Sequence, residues 1–344
     1  MTSDFDRRLG VMYGLAYGDA LGRPTEFLKA DSLRKFGSPF QVRVGINTPR
    51  QGIVTDDTQM SLYIARASLG TAQPKDLTAR LTKELTAWGT DPRCHDGRRA
   101  PGATCTGAVA DLKKGKTWIF ATREHSKGNG ANMRVAPMAL RTDWTWEELA
   151  GASQLQAAMT HGHPTALAAA HLTAVTVRIL LTGFCSPGED LIDMLLAYCN
   201  DQKHNYWDTY LGGLWKLWKP KGVASPEEFA ERGWTKMMDA LLAIYKMPRN
   251  VRQDPCDVAG DGWVAEEALA CALHTLLCFP DDPTNAVRRA AFTDGDSDSI
   301  ASITGALAGA AYGRKAFPAN WIENIEYRRT LDSLTAKLTR ATAV

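Results

Sequence analysis

Two short runs of carboxylates stand out in the chain. Thr55-Asp56-Asp57-Thr58-Gln59-Met60 precedes the helical pattern Leu62, Ile64, Ala65, and Asp294-Gly295-Asp296-Ser297-Asp298-Ser299-Ile300 precedes a glycine- and alanine-rich stretch. Asp, Ser and Thr at a helix start cap its free N–H groups and complement its dipole, so either run alone has a purely structural explanation. Two adjacent Asp, or Asp-x-Asp, exceed what one cap needs, and crowded like charges are costly unless a cation lies between them. Together the runs point to a metal site. Their donors are all hard oxygens, which favour Mg²⁺ or Mn²⁺ over Zn²⁺ or copper, and four carboxylates suffice for two ions roughly 3.5–4 Å apart that activate a bridging water. An EF-hand is excluded. That loop requires Gly at its sixth and Glu at its twelfth position, where counting from Asp294 gives Ser299 and Gly305, and counting from Asp296 gives Ala301 and Leu307.

Ser126-Lys127-Gly128-Asn129-Gly130-Ala131-Asn132-Met133-Arg134 is a weaker signal. Gly and Asn reach the left-handed conformations that turn successive N–H groups toward an anion, forming a phosphate-binding concavity. The alternative is a plain turn, with Arg134 in a buried ion pair. Neither a Walker pattern nor a dinucleotide GxGxxG is present. In Thr160-His161-Gly162-His163-Pro164, one His can bond substrate hydroxyls, whereas Pro164 at a first helical turn makes His163 a helix-entry residue. His171 and His274 lie in apolar helical stretches and read as core. The seven cysteines form no CxxC pair, which argues against a disulfide framework or a thiolate zinc site.

These residues must be positioned by helices. Apolar residues recur at helical spacing (Leu81, Leu85, Trp88; Leu167, Ala170, Val175, Ile179; Phe229, Trp234, Met238, Leu242), and long alternating strand patterns are absent. Helix starts are marked by Ser186-Pro187-Gly188-Glu189 and Ser225-Pro226-Glu227-Glu228. The expected fold is an all-α bundle of roughly ten or more helices. Gly10, Gly14, Gly18 and Gly22 line one face of the first helix, and Gly305, Gly309 and Gly313 repeat the device near the other end. A mid-helix glycine costs roughly 1 kcal/mol against alanine, so the two ridges are expected to pack together and make one domain. Stretches 91–103, 123–134 and 247–262 read as loops. Trp207, Trp215 and Trp218, beside Tyr206, Tyr210 and Leu211, fit a packed helix face, the alternative being a partner or substrate surface.

Composition narrows the function classes. Forty Lys+Arg against thirty-eight Asp+Glu leave +2, so no strong field attracts a polyanion or an anionic membrane, and general nucleic-acid binding is not expected. No apolar run approaches the roughly 20 residues of a membrane span, and residues 1–8 lack the apolar stretch of a signal peptide. A cytoplasmic protein is expected.

Gly14-Leu15-Ala16-Tyr17-Gly18-Asp19-Ala20-Leu21-Gly22 with Pro24 and Glu26, Thr55-Asp56-Asp57-Thr58, Gly128-Asn129-Gly130 through Arg134, Thr160-His161 and Gly295-Asp296-Ser297-Asp298-Ser299 occur in this order. In this the chain resembles the ADP-ribosylglycohydrolases, the family of dinitrogenase reductase-activating glycohydrolase and the ADP-ribosylarginine hydrolases, over residues 10–313. Gly262-Trp263-Val264 before an alanine-rich helix also resembles the segment ahead of the family's second acidic motif. The resemblance implies a single-domain orthogonal helical bundle over 1–344 with a Trp-rich variable segment at about 204–262. It implies a binuclear Mg²⁺ or Mn²⁺ centre with ligands Thr55, Asp56, Asp57, Asp296, Asp298 and Ser299, the last replacing the family's usual Thr. Ser126, Gly128, Asn129 and Gly130 would cradle the pyrophosphate of ADP-ribose, and His161 would contact ribose hydroxyls. Asp57 or Glu26 would handle the proton. Lys127 stands where some relatives place an aromatic that stacks on adenine. The implied activity is release of ADP-ribose from a modified protein, first of all from arginine. The alternatives are serine-, nucleobase- or ester-linked ADP-ribose, or a silent ADP-ribose-binding relative.

Overall fold

The computed structural model describes residues 3–33, 52–245 and 247–341. The protein is all-α. Among the described residues β-structure is limited to three isolated bridges, Gly52 with Ile325, Arg123 with His161 and Gly128 with Val264.

The first helix, Asp4–Gly22, packs more extensively on Ser297–Tyr312 than any other pair of elements. The glycine ridges meet as expected. A Cβ on Gly10 would lie 2.2 Å from the Gly309 carbonyl oxygen, and one on Gly18 would lie 1.9 Å from that of Ala301. Such contacts permit no side chain, so the backbones touch and helices from opposite ends of the chain share the core. Gly313 departs from the expected ridge, because it ends its helix with φ 81°.

Around this pair stand Pro283–Ala290, Ala265–Cys278 and Pro164–Thr182, and Trp146–Ala158 and Pro226–Tyr245 pack on the last of these. Contrary to the expectation that no apolar run approaches a membrane span, Pro164–Thr182 is long and apolar enough to be one, with mean hydropathy 1.5. Its apolar window is 94% buried within the protein, which identifies it as a core helix. His163 caps it, accepting a hydrogen bond from the Thr165 N–H at 3.1 Å. His171 is buried between the Gln154 amide (3.0 Å) and the Tyr198 hydroxyl (2.7 Å), and His274 meets Arg249 (3.3 Å).

The tryptophans of the 204–262 segment pack inward to different depths. Trp218 is buried edge-on against His163 and Phe229 and donates its indole N–H to the Glu124 carbonyl at 3.1 Å. Trp207 and Trp215 are half-buried, the latter beneath the Lys219 ammonium. All seven cysteines are free thiols.

Candidate active site and metal centre

Three parts of the chain bring their carboxylates to one cleft. Asp56 and Asp57 open the helix Asp56–Ala67, whose N-cap Thr55 accepts from the Asp57 N–H at 3.3 Å. Asp296 is the N-cap of Ser297–Tyr312, but its side chain makes no capping bond and turns to the cleft with Asp298. Glu26 follows the first helix in a turn. A Cβ on Gly22 would lie 2.4 Å from the Asp298 Cα, so the end of the first helix abuts the second acidic run. Ser297 Oγ donates to the Gly22 carbonyl (3.0 Å) and Lys29 Nζ to that of Asp294 (3.0 Å).

Asp19 has no assigned role in the sequence reading and proves central. It is wholly buried at the base of the first acidic run. Its carboxylate accepts from the Thr55 N–H (2.8 Å), the Thr58 N–H (2.9 Å) and the Thr58 hydroxyl. From the other side Asp56 N donates to the Arg99 carbonyl (3.0 Å), while Arg99 forms a two-point ion pair with Glu326 (2.7 and 2.9 Å).

The cleft wall contains Glu26, Asp56, Asp57, Gly128, Asn129, Gly130, His161, Asp296, Asp298 and Ser299. Of the sequence candidates only Thr55 and Ser126 stand behind it. Thr55 Oγ1 lies 3.3 Å from Asp57 Oδ2, and Ser126 Oγ lies 2.9 Å from Thr104 Oγ1. Thr104, Cys105, Met133, Phe27 and Trp263 also line the cleft, the last two with rings stacked 5.3 Å apart. Trp263 belongs to the Gly262-Trp263-Val264 segment and Met133 to the run ending at Arg134, whereas no motif marks Phe27, Thr104 or Cys105, the last of which follows a helical apolar pattern like any core residue.

Gly128-Asn129-Gly130 departs from the left-handed expectation. None of the three has a positive φ, and Asn129–Ala131 forms a turn of 3₁₀ helix. The glycines serve clearance, since a Cβ on Gly130 would lie 2.7 Å from Cys105 Sγ and 3.1 Å from the His161 ring. Arg134 also differs from expectation, because it is completely buried and pairs with no carboxylate among the described residues. Its guanidinium donates to Gln156 Oε1 (2.9 Å), the Gln156 carbonyl (3.0 Å) and Thr160 Oγ1 (2.9 Å). Lys127 forms an ion pair with Glu266.

The electrostatics follow from this crowding. Burial, then the charge of Asp298, pushes the carboxyls of Asp56, Asp57 and Asp296 well above the usual range. The same causes raise Glu26 to about 10 and Asp19 to about 7. A set of buried carboxylates with raised pKa values is costly as it stands and is relieved by a cation. Glu26, Asp296 and Asp298 can each bring one oxygen within 4.8 Å of the others. Asp57 Oδ1 is buried and has no partner among the described residues. The donor chemistry and this orphaned oxygen fit a hard divalent ion. Elsewhere in the cleft lining both amide atoms of Asn129 are buried without a partner among the described residues, which suits them to a polar ligand.

In an all-α bundle, then, one cleft combines an acidic cluster able to hold a cation with a glycine-lined polar segment, an arrangement suited to hydrolysis of a charged ligand. A family model described as ADP-ribosylglycohydrolase matches residues 1–344, and the chain belongs to that family. It is thus a glycosidic-bond hydrolase acting on ADP-ribosyl groups. Among curated relatives, the ADP-ribosylarginine hydrolase Tri1 of Serratia proteamaculans is 25% identical over 350 residues, covering 98% of this chain and 80% of Tri1. The ADP-ribosyl-[dinitrogen reductase] glycohydrolase of Rhodospirillum rubrum is 25% identical over 341 residues, 96% of each chain. The human ADP-ribosylhydrolase ARH3 is 26% identical over 227 residues, 62% of this chain and 58% of that one. A solved structure titled ADP-ribosylglycohydrolase-related protein complex superposes with a TM-score of 0.65 at 24% identity, covering 99% of this chain and all of the other, and shares the fold.

Proposed function

We propose that the protein removes ADP-ribose from arginine side chains of a modified protein, using two divalent ions, Mg²⁺ or Mn²⁺. The observation that carries this reading is that one cleft is lined both by the carboxylates of two distant acidic runs and by Gly128, Asn129, Gly130 and His161. The arginine linkage is supported by the name of the Tri1 relative. Thr55, Asp56, Asp57, Asp296, Asp298 and Ser299 would hold the ions, with Glu26 close enough to Asp296 and Asp298 to join them. When bound, the ions supply positive charge that stabilises the reacting group and lowers the pKa of a water.

The chain's own residues account for the remaining tasks. Ser126, Gly128, Asn129 and Gly130 admit the pyrophosphate, the glycines because they leave room and Asn129 because its amide is free to bond. Hydrolysis at C1″ of the ribose develops oxocarbenium character, and a guanidine leaves well only when protonated. Glu26 and Asp57 both line the cleft with carboxyls raised by burial, which suits either to deliver that proton. Residues 1–344 form one domain in this reading, with the 204–262 segment shaping the acceptor side, and the protein works in the cytoplasm.

The test is release of ADP-ribose from arginine-, serine- and nucleobase-linked substrates with and without a chelator. Arginine-linked substrate should turn over fastest, and only without chelator. Asp57→Ala and Asp298→Ala should abolish release while the helical circular dichroism persists. Undiminished turnover in those variants, or in chelator, would refute the assignment of the metal ligands.

A further inference from the structure

Behind this part of the cleft lining runs a short chain of hydrogen bonds in which one placement of protons satisfies every group. Arg134 is wholly buried, and its guanidinium has donors but no acceptor. Its Nη2 lies 2.9 Å from Thr160 Oγ1, so that hydroxyl accepts from it. Among the described residues Thr160 Oγ1 has one other partner, His161 Nδ1 at 2.8 Å, and one hydrogen to give. Were Nδ1 to donate instead, the hydroxyl would accept twice and its own buried hydrogen would have no acceptor among the described residues. The arrangement that satisfies every group therefore has the hydroxyl donating to Nδ1, with Nδ1 as a bare lone pair. A neutral imidazole whose Nδ1 accepts carries its hydrogen on Nε2. Nε2 sits at the cleft wall, 3.5 Å from where a Cβ on Gly128 would be, and has no partner among the described residues.

We propose that Arg134, acting through Thr160, locks His161 as the Nε2–H tautomer, a fixed hydrogen-bond donor that selects an acceptor-only anionic oxygen of the ligand. Given the functional reading above, on which the ligand's identity rests, that oxygen belongs to the pyrophosphate of ADP-ribose rather than to a ribose hydroxyl.

Other features of the site agree. A phosphate oxygen gives a charge-assisted bond, stronger than one to a neutral hydroxyl. Burial and the Arg134 charge hold the imidazole pKa down to about 3, so the ring stays neutral and the relay keeps its polarity. Gln156 braces the arrangement, taking the Arg134 Nε–H at 2.9 Å and giving its own amide N–H to the Ala131 carbonyl at 2.9 Å. Arg134 and Thr160 are thus positioning residues, and His161 is the one that touches ligand.

Two measurements on the full chain test this. Long-range ¹H–¹⁵N correlation spectra of the histidine-labelled protein, with the His161 signals assigned by their loss in His161→Gln, should show the proton on Nε2 at neutral pH without ligand. A ring protonated on Nδ1 would overturn the inference whatever the substrate. Calorimetry should then show Thr160→Val binding ADP-ribose about tenfold or more weakly, the loss of one well-placed charge-assisted bond. Thr160→Ser should restore affinity, and ADP, which keeps the pyrophosphate but lacks the distal ribose, should show the same loss in Thr160→Val. An undiminished ADP affinity would point instead to a contact with the distal ribose and overturn the pyrophosphate assignment. His161→Gln, whose amide N–H falls near the Nε2 position, should retain more affinity than His161→Asn. Equal ADP-ribose affinity in Thr160→Val and wild type would overturn the relay. Failure of the wild type itself to bind ADP-ribose would instead sink the functional reading, and the spectra would still decide the tautomer.

Discussion

Gly14 and Gly305 face each other so closely that a Cβ on Gly14 would lie 2.0 Å from the Gly305 carbonyl oxygen, and one on Gly305 would lie 1.9 Å from that of Gly14. This mutual contact aligns the two helices whose ends carry Glu26 and the second acidic run. Gly14→Ala therefore gains helix propensity and loses far more through backbone displacement. Overpacking of this kind costs about 3 kcal/mol or more, because the obstructing atoms are main chain and cannot rotate away. Urea unfolding should show a markedly lower midpoint for Gly14→Ala and Gly305→Ala. A stability equal to wild type would mean that the helices do not touch here.

Asp298 is the foremost charge raising the carboxyls of Glu26, Asp56, Asp57 and Asp296. Asp298→Asn should therefore stabilise the metal-free protein by about 1 kcal/mol or more while abolishing its stabilisation by Mn²⁺. The sign with pH follows from the raised values: such carboxyls cost stability above their folded pKa, and the cost is relieved as pH falls. With Glu26 at about 10 and Asp19 at about 7, chelator-treated wild type should gain stability from pH 9 to pH 7. Thermal melts in chelator should show this gain reduced in Asp298→Asn. An unchanged gain would count against the proposed crowding.

Asp19 fixes the first acidic run by accepting from Thr55 and Thr58 without itself lining the cleft. Asp19→Asn leaves one acceptor oxygen and places an N–H₂ against donors. Loss of such a support weakens metal sites by roughly 10–100-fold. Mn²⁺ titration calorimetry should show that drop while the protein stays helical. Wild-type affinity would make Asp19 a core residue without influence on the site.

His171 lies in the core away from the cleft, and burial holds its pKa down to about 3. Because the unfolded chain takes up the proton first, the contribution of the neutral ring is complete above about pH 6.5 and is lost as pH falls toward 3. The stability advantage of wild type over His171→Gln should shrink by roughly 1.4 kcal/mol per pH unit below 6.5. Urea unfolding of both proteins at pH 7.5 and 5.5 checks it. A gap that does not change with pH would show that the ring is solvated or charged in the folded state.

Much of this architecture was legible from local pattern. The 3.6-residue periodicity indicated helices, the glycine ridges indicated which two must touch, and the excess of carboxylates at Asp56-Asp57 and Asp296-x-Asp298 marked the acidic cluster that lines the cleft. Arg134 and the Gly128–Gly130 turn differ from the local expectation for one shared reason. A guanidinium and a pair of glycines suggest an ion pair and left-handed turns when only neighbouring residues are considered. Their observed roles depend on Gln156, Thr160, Cys105 and His161, which arrive from other helices.

The sequence by itself determined the helical class, the acidic chemistry and the kinship of the motifs, since these are properties of residue type and short spacing. Only the tertiary structure decided that Asp19 underpins the first run, that Glu26 can join Asp296 and Asp298, and that a buried arginine sets the proton on His161. Those relations join residues tens to hundreds of positions apart. No periodicity encodes them, because they exist only once packing has excluded water and brought donors and acceptors from distant segments together.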